Sequence, residues 1–266
     1  MGSTTLSKVF KYTIYLLLAH NVVLFFQEER VASSQVFIQG MSWSNIIESY
    51  SASIDTASWL VLLLIFELET YILHEEQIKG LLKTTLNLLK SVAYLLIIYS
   101  CYGYLMKYNL VHDYTIFNQD PCSLVGSDYS YIIGLDEYDP INAKQCLDLS
   151  SSALFQLNGT NIIGTESSLG VIQRQAFVDV LNSVAWLLVV FILEVEVSLK
   201  LRGALTKRRI QLSAFLKALL YSTLFFNAIY WWVEGSFLDF FDAFLWIIAF
   251  IFIEMNMFGG KNLLRA

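Results

Sequence analysis

The stretch Trp186-Leu-Leu-Val-Val-Phe-Ile-Leu-Glu194-Val-Glu196 is an apolar, helix-forming run with two acids set into it, and closely similar runs occur twice more in the chain. Trp59 is followed eight residues later by Glu67 and ten later by Glu69, and Trp246 is followed at the same offsets by Glu254 and Asn256. Asp55, Asn182 and Asp242 each stand four residues before their Trp. Carboxylates at a fixed offset inside aliphatic runs show how the chain is built and where its costly polar groups lie.

The rest of the composition agrees with a chain made of such runs. Of 266 residues, 56% are apolar and 15% aromatic, with a mean hydropathy of +0.55, against roughly 45–50% apolar in globular domains. Runs near the ~20 residues needed to cross a bilayer occur at about 8–27, 56–74, 87–106, 177–198, 210–232 and 238–258. They predict an all-α integral membrane protein with six transmembrane helices. The first run reaches Phe26 without a small-residue cleavage pattern and reads as a span. Leu6 stands where N-myristoylation needs Ser or Thr.

Basic residues set the expected orientation. Lys8, Lys11, Lys79, Lys83, Lys90, Lys200, Arg202, Lys207, Arg208, Arg209, Lys217, Lys261 and Arg265 fall on one side of a six-helix layout, and only Arg30, Lys107, Lys144 and Arg174 on the other. That asymmetry predicts a multi-pass protein of a plasma membrane or bacterial inner membrane with both termini cytoplasmic. The basic clusters lie where anionic lipid head groups would be, so lipid is the expected partner and nucleic acid is not.

Along the chain, Val36, Phe37, Ile38, Met41, Trp43, Ile46, Ile47 and Tyr50 read as a short amphipathic helix at the membrane interface. The second span ends at His74-Glu75-Glu76-Gln77-Ile78, which lacks the second His of a zinc-binding HExxH and is rejected as a metalloprotease site. The third span opens into an outer loop of about 70 residues, 107–175, which holds Pro121 and Pro140 and is the one stretch large enough for an extramembrane cap. Cys122 and Cys146 lie in it and are expected to form a disulfide, whereas Cys101 reads as a small packing residue inside a span. Asn158-Gly159-Thr160 matches a glycosylation sequon. Asp136, Glu137 and Asp139 lack EF-hand spacing and read as a solvated acidic face. Trp231-Trp232 reads as an interface anchor ahead of a tight turn at Glu234-Gly235.

The outward-running helices align as well. Lys11 and Tyr15, Lys90 and Tyr94, and Lys217 and Tyr221 share a Lys-x-x-x-Tyr pattern, and Asn21, Ser100 and Asn227 follow six residues after each Tyr. The expected architecture is therefore one domain, 1–266, of three like-oriented helix hairpins at about 8–78, 84–200 and 209–258, related by a pseudo-threefold repeat. It differs from the inverted repeats of many transporters.

Energetics then demand partners. Glu67, Glu194 and Glu254 lie some 7–11 Å inside the expected cytoplasmic boundary, with the three lysines at comparable depth. Six unpaired charges at about 2.5–3.5 kcal/mol each would cost on the order of 15–20 kcal/mol, more than a typical whole-protein stability. Each Lys is expected to meet a Glu of a neighbouring helix, with Tyr15, Tyr94, Tyr221 and Asn21 or Asn227 adding hydrogen bonds. Two acids at i and i+2 project about 200° apart, so Glu67 and Glu69, or Glu194 and Glu196, cannot share a face.

Two functions compete. The acids Glu67, Glu194 and Glu254, extended by Glu69, Glu196, Asp55 and Asp242, would form an acidic intramembrane site that passes or couples to protons or small cations. Alternatively the Lys–Glu pairs specify packing, and the chain is a non-catalytic accessory or assembly subunit, with homo-oligomer or membrane-complex partners. His20 is the one histidine within a span and reads as a helix–helix hydrogen-bonding residue; no Cys/His spacing fits zinc or an iron–sulfur cluster. No glycine-rich phosphate loop or nucleophile elbow is present, so neither a cofactor nor a metal is expected and an enzyme is disfavoured.

Overall fold

The computed structural model describes the backbone of residues 2–37, 45–73 and 77–259, with the side chains of 2–7, 71, 201 and 252–259 outside that description. The chain is mostly helical. In order it forms α1 (Gly2–Val36), α2 (Ile46–Ser49), α3 (Ser51–Glu67) with a π-helical turn (Leu68–Ile72), and α4 (Gly80–His112). There follow β1 (Tyr114–Phe117), a 3-10 turn (Pro121–Leu124), β2 (Ser130–Gly134), β3 (Glu137–Pro140), α5 (Ala143–Leu149), β4 (Leu154–Leu157), β5 (Ile162–Thr165), α6 (Glu166–Leu201), α7 (Lys207–Glu234) and α8 (Phe237–Gly259).

Five of the six apolar runs lie inside a helix, and the second follows α3 and the π-helical turn as far as Ile72. Among the described residues five stretches are long and apolar enough to cross a membrane, namely Lys8–Val36, Ser51–Thr70, Gly80–His112, Glu166–Lys200 and Lys207–Glu234, which makes this a membrane-embedded chain by length and composition. α8 is 23 residues long. The 33 residues of α4 and 36 of α6 would span ~50 Å or more, well beyond a ~30 Å hydrocarbon layer, so each has turns to spare outside it.

The chain divides into two compact units, Val22–Val180 and Met1–Asn21 with Leu181–Ala266. In the first, the stretch expected as a loop over 107–175 is largely ordered structure. α4 persists to His112 and α6 starts at Glu166, and between them lies a five-stranded sheet of order β1-β4-β5-β2-β3. Neighbours are antiparallel except the parallel pair of β2 and β5. The all-α expectation omitted this sheet because its strands are four or five residues long, too short to show alternation. One sheet face packs Ile132, Leu157 and Ile162 on the ends of three helices through Ala32 of α1, Val111 of α4 and Leu169 and Ile172 of α6. The other face covers Phe117, Leu124, Ile141, Leu149, Leu154 and Ile163. Beside this second core the disulfide Cys122–Cys146 ties the 3-10 turn to α5, whose N-terminus Asn142 caps by accepting from the Lys144 and Gln145 amides. The sequon residue Asn158 turns the β4–β5 hairpin, where its amide donates to Asp113 (2.6 Å) and its carbonyl accepts from Thr115 (2.9 Å).

Within the described part of the expected interfacial helix, Ile46–Ser49 form the single turn α2, and Ile47 in it is buried. A Cβ at Gly103 of α4 would lie 2.5 Å from the Ile47 carbonyl oxygen, so α2 packs against α4 backbone to backbone instead of lying free on a surface. Ile38, Met41 and Trp43 of that reading lie outside the described residues, as do His74, Glu75 and Glu76.

In the second unit, α6 passes to α7 through Gly203 at φ +66°, and Thr206 caps α7 by accepting from the Arg209 amide. α7 ends where Gly235 at φ +91° takes the left-handed cap position and donates to the Trp231 carbonyl. α8 begins two residues later, as the Glu234-Gly235 turn predicted. The Trp pair divides: Trp231 is 4% exposed and packs inside, while Trp232 is 59% exposed and meets the Phe240 ring. Adjacent helical positions point about 100° apart, so only Trp232 can serve as a surface anchor.

Candidate functional site

Two sets of helices carry the aligned residues. On α1, α4 and α7, the residue three after each Tyr is buried (Leu18, Ile97, Leu224), and so is the polar residue six after it (Asn21, Ser100, Asn227). On α3, α6 and α8 the tryptophans Trp59, Trp186 and Trp246 are buried, together with Thr56, Ser183 and Ala243 three residues before each. Positions that the sequence aligns therefore share burial.

Lysines meet acids at two of the contacts between these sets. Lys90 Nζ lies 2.6 Å from Glu69 Oε2. Lys217 Nζ lies 3.2 Å from Glu196 Oε2, which also accepts from Ser213 Oγ at 3.1 Å. In both, the lysine binds the acid 21 residues upstream, the second of each Glu pair. The first acids are placed differently: Glu67 is buried and Glu194 is exposed. The 200° divergence of i and i+2 explains why Glu196 can turn inward to Lys217 while Glu194 turns outward. On α3 the same two positions straddle the change into the π-helical turn, closed by the Leu73 amide donating to the Leu68 carbonyl at 2.9 Å. The wider turn re-aims Glu69, so that Glu67 and Glu69 are both at least partly withdrawn from the surface.

For the remaining residues, Lys11 Nζ stands over the Tyr12 ring at 5.1 Å, and Tyr15 meets Tyr12 edge-on. Tyr94 is half-buried. Tyr221 meets Trp186 edge-on at 6.5 Å. The side chains of Glu254 and Asn256 lie outside the described residues. His20 is exposed on α1.

A second polar level joins α1 to α8. Asn21 Nδ2 donates to Asp242 Oδ1 at 2.9 Å, and Trp246, one turn along, also hydrogen-bonds that carboxyl. The aligned residues of α6 and α7, Asn182 and Asn227, bury an amide oxygen and an amide nitrogen that have no hydrogen-bond partner. Asp55 is partly buried on α3, and Ser100 Oγ turns back to the Leu96 carbonyl of its own helix.

One charged centre was not read from the sequence. Lys107 of α4, buried, lies 2.6 Å from Asp136 Oδ2 and 3.2 Å from Glu29 Oε1. Glu29 of α1, 2% exposed, also accepts from the Ala52 amide (2.8 Å), the Ser53 amide (3.0 Å) and the Ser53 hydroxyl. Those amides open α3, which has no side-chain cap of its own, so a carboxylate from another helix satisfies its free N–H groups and its positive end. Asp136 takes φ +61° in the β2–β3 turn, a conformation Asp tolerates. It is partly buried and paired with Lys107, while Glu137 and Asp139 beside it are exposed, so of the expected solvated acidic face only those two remain on the surface. Burial, and then the Asp136 charge, push the Tyr138 hydroxyl upward, and burial raises Glu48. A cavity of about 20 Å³ lined by Ser33, Glu48, Lys107, Asp136 and Tyr138 is large enough for a single water.

The signal for this centre was faint. Lys107 is one of four basic residues on the expected outer side, and Glu29 closes an apolar run, but the partners are 78 and 29 residues away, beyond any local spacing rule. Among the described residues no group of three or more His, Cys, Asp or Glu could hold a metal ion. No family model matches the chain, and no match is found among curated proteins or solved structures.

Proposed function

We propose that the chain is a six-helix membrane protein of three like-oriented hairpins, and that its intramembrane carboxylates divide their labour. The second acids and lysines clasp each hairpin to the next, while the first acids and the aspartates couple the protein to protons or small cations. The clasp half is supported by the matching geometry of Lys90–Glu69 and Lys217–Glu196 and by the shared burial of aligned positions. Asn21–Asp242 pairs an outward helix with an inward one at the second polar level, through a hydrogen bond instead of a Lys–Glu clasp.

The observation that carries the ion-coupling half is Glu67, buried on an apolar spanning helix and followed directly by a π-helical turn. Ionisable groups inside spans mark ion routes by default, and π-helical turns recur at functional sites. The seven acids assigned to the network (Asp55, Glu67, Glu69, Glu194, Glu196, Asp242, Glu254) outnumber its three lysines (Lys11, Lys90, Lys217), so clasping alone leaves carboxylates over. Asp55 and Asp242 extend the series along the helices toward the outer side.

The test is proton and cation flux in proteoliposomes. Wild-type flux that Glu67→Gln abolishes and Thr13→Ala, on an exposed face, leaves intact supports the reading. Absence of flux in the wild type, or flux unchanged by Glu67→Gln, removes it.

The second reading, an accessory or assembly subunit of a larger membrane complex, is favoured by the clasps themselves, since Lys90–Glu69 and Lys217–Glu196 specify helix packing without requiring an ion path. Native purification distinguishes it: a stable co-purifying partner without intrinsic conductance.

A further inference from the structure

β1 is an edge strand of the sheet, and its two faces differ. Phe117 pairs across to Leu154 and is buried in the core beside the disulfide. Tyr114 and Ile116 pair across to Leu157 and Phe155 and so lie on the other face, the one that packs on the ends of α1, α4 and α6. On that face Tyr114 is 41% and Ile116 69% exposed. Among the described residues, no part of this unit covers these two side chains, so the sheet face extending past the helix ends meets what surrounds the helices.

Position along α4 says what that is. The strand starts two residues after α4 ends, with Asp113 alone between His112 and Tyr114. Residues 91–106 of α4 carry no charge, and from the middle of that stretch to His112 is about 20 Å at 1.5 Å per residue. A bilayer with its head groups is ≈ 40–45 Å thick, so His112 and the strand fall at about head-group depth. The exposed side of α4 leads there through Tyr99, Tyr102 and Leu105, with the two tyrosine rings stacked at 6.1 Å. Tyrosine concentrates at that depth because its ring is apolar and its hydroxyl wet.

We propose that the Tyr114–Ile116 edge of the sheet is a lipid-contact surface, seated in the head-group layer as a continuation of the α4 aromatic stripe. Ile116 enters the upper acyl region and the Tyr114 hydroxyl stays among phosphates and water. The proposal rests on α4 crossing the bilayer, and the sheet is thereby held against the membrane.

Nitroxide labels in reconstituted phosphatidylcholine–phosphatidylglycerol bilayers test it, in a Cys101→Ser background with the disulfide intact. Ile98→Cys, exposed midway along α4, reports the span, and Ser152→Cys, exposed beyond α5, reports bulk water. The expected result is collision with oxygen over a nickel chelate at Ile98→Cys, the reverse at Ser152→Cys, and a value between them at Ile116→Cys, repeated at Tyr114→Cys. Chelate access at Ile116→Cys equal to that at Ser152→Cys overturns the proposal, and so does a label screened from both reagents, which signifies a protein cover. Either outcome leaves the span intact if Ile98→Cys remains in lipid; a water-exposed Ile98→Cys overturns span and proposal together.

Discussion

Lys107→Met separates buried from half-exposed charge in one protein. Lys107–Asp136 and Lys90–Glu69 have the same 2.6 Å separation, but the lysine side chains are 7% and 32% exposed. Methionine keeps the length and apolar contacts of the lysine stem while deleting the ammonium. At position 107 this leaves Glu29 and Asp136 without counter-charge, and removing one partner of a buried pair costs about 3–5 kcal/mol. At position 90 the pair is only part-buried and lies about one turn from the end of the span, where long side chains reach head-group water, so the corresponding loss is about 0.2–1 kcal/mol. At about 2–4 °C per kcal/mol for a chain near this size, Lys107→Met should lower the melting temperature by about 6–20 °C and Lys90→Met by no more than about 4 °C. The buried thiol of Cys101 on α4, which is in no disulfide, supplies the assay, since a thiol-reactive fluorophore reports its exposure on heating at one fixed scan rate. Adding Glu29→Gln and Asp136→Asn to Lys107→Met should recover part of the loss by removing the stranded charges. Equal shifts at the two positions, or a larger one at Lys90→Met, would refute the reasoning.

Asn21→Leu, which deprives Asp242 of a donor, should cost about 1–3 kcal/mol in the same thermal assay, whereas Asn227→Leu removes an unbonded buried amide nitrogen and should be neutral or stabilising. Reducing Cys122–Cys146, which closes a 24-residue separation, should destabilise the cap by about 3 kcal/mol, read as faster proteolysis within 113–165. Gly103→Ala forces a methyl group against the Ile47 carbonyl and should cost about 1–3 kcal/mol; Gly170→Ala, which meets only the tip of Arg174 at 3.4 Å, should fold normally. Glu48 is raised by burial, with Lys107 pulling it down and Asp136 pushing it up. A carboxyl higher in the folded than in the unfolded state stabilises most below about 4.3, and that contribution is lost as pH rises through the raised value. Stability profiles of Glu48→Gln should therefore lack that slope; an unchanged profile would remove Glu48 as its source.

What the sequence disclosed follows from the range of each interaction. Apolar runs, the Gly235 turn and the Cys122–Cys146 pair depend on neighbours or on composition, and all are visible in one pass along the chain. The requirement that Lys90 and Lys217 find carboxylates was legible from the cost of burying charge. Which acid of each pair would answer was not, because Glu67 and Glu69 differ by a rotation that a π-helical turn alters. The sheet escaped because four-residue strands carry no period. Glu29, Lys107 and Asp136 escaped because they meet only once α1, α4 and the β2–β3 turn have assembled.

Crosslinking across the aligned polar level tests the repeat most directly. Three double-cysteine variants, Asn21→Cys with Asp242→Cys, Asp55→Cys with Ser100→Cys, and Asn182→Cys with Asn227→Cys, are oxidised in membranes in a Cys101→Ser background. A bundle of three equivalent hairpins predicts an intramolecular disulfide in all three at comparable rates. Failure of either of the last two pairs, while a mismatched pair such as Asp55→Cys with Asn227→Cys crosslinks, would contradict it.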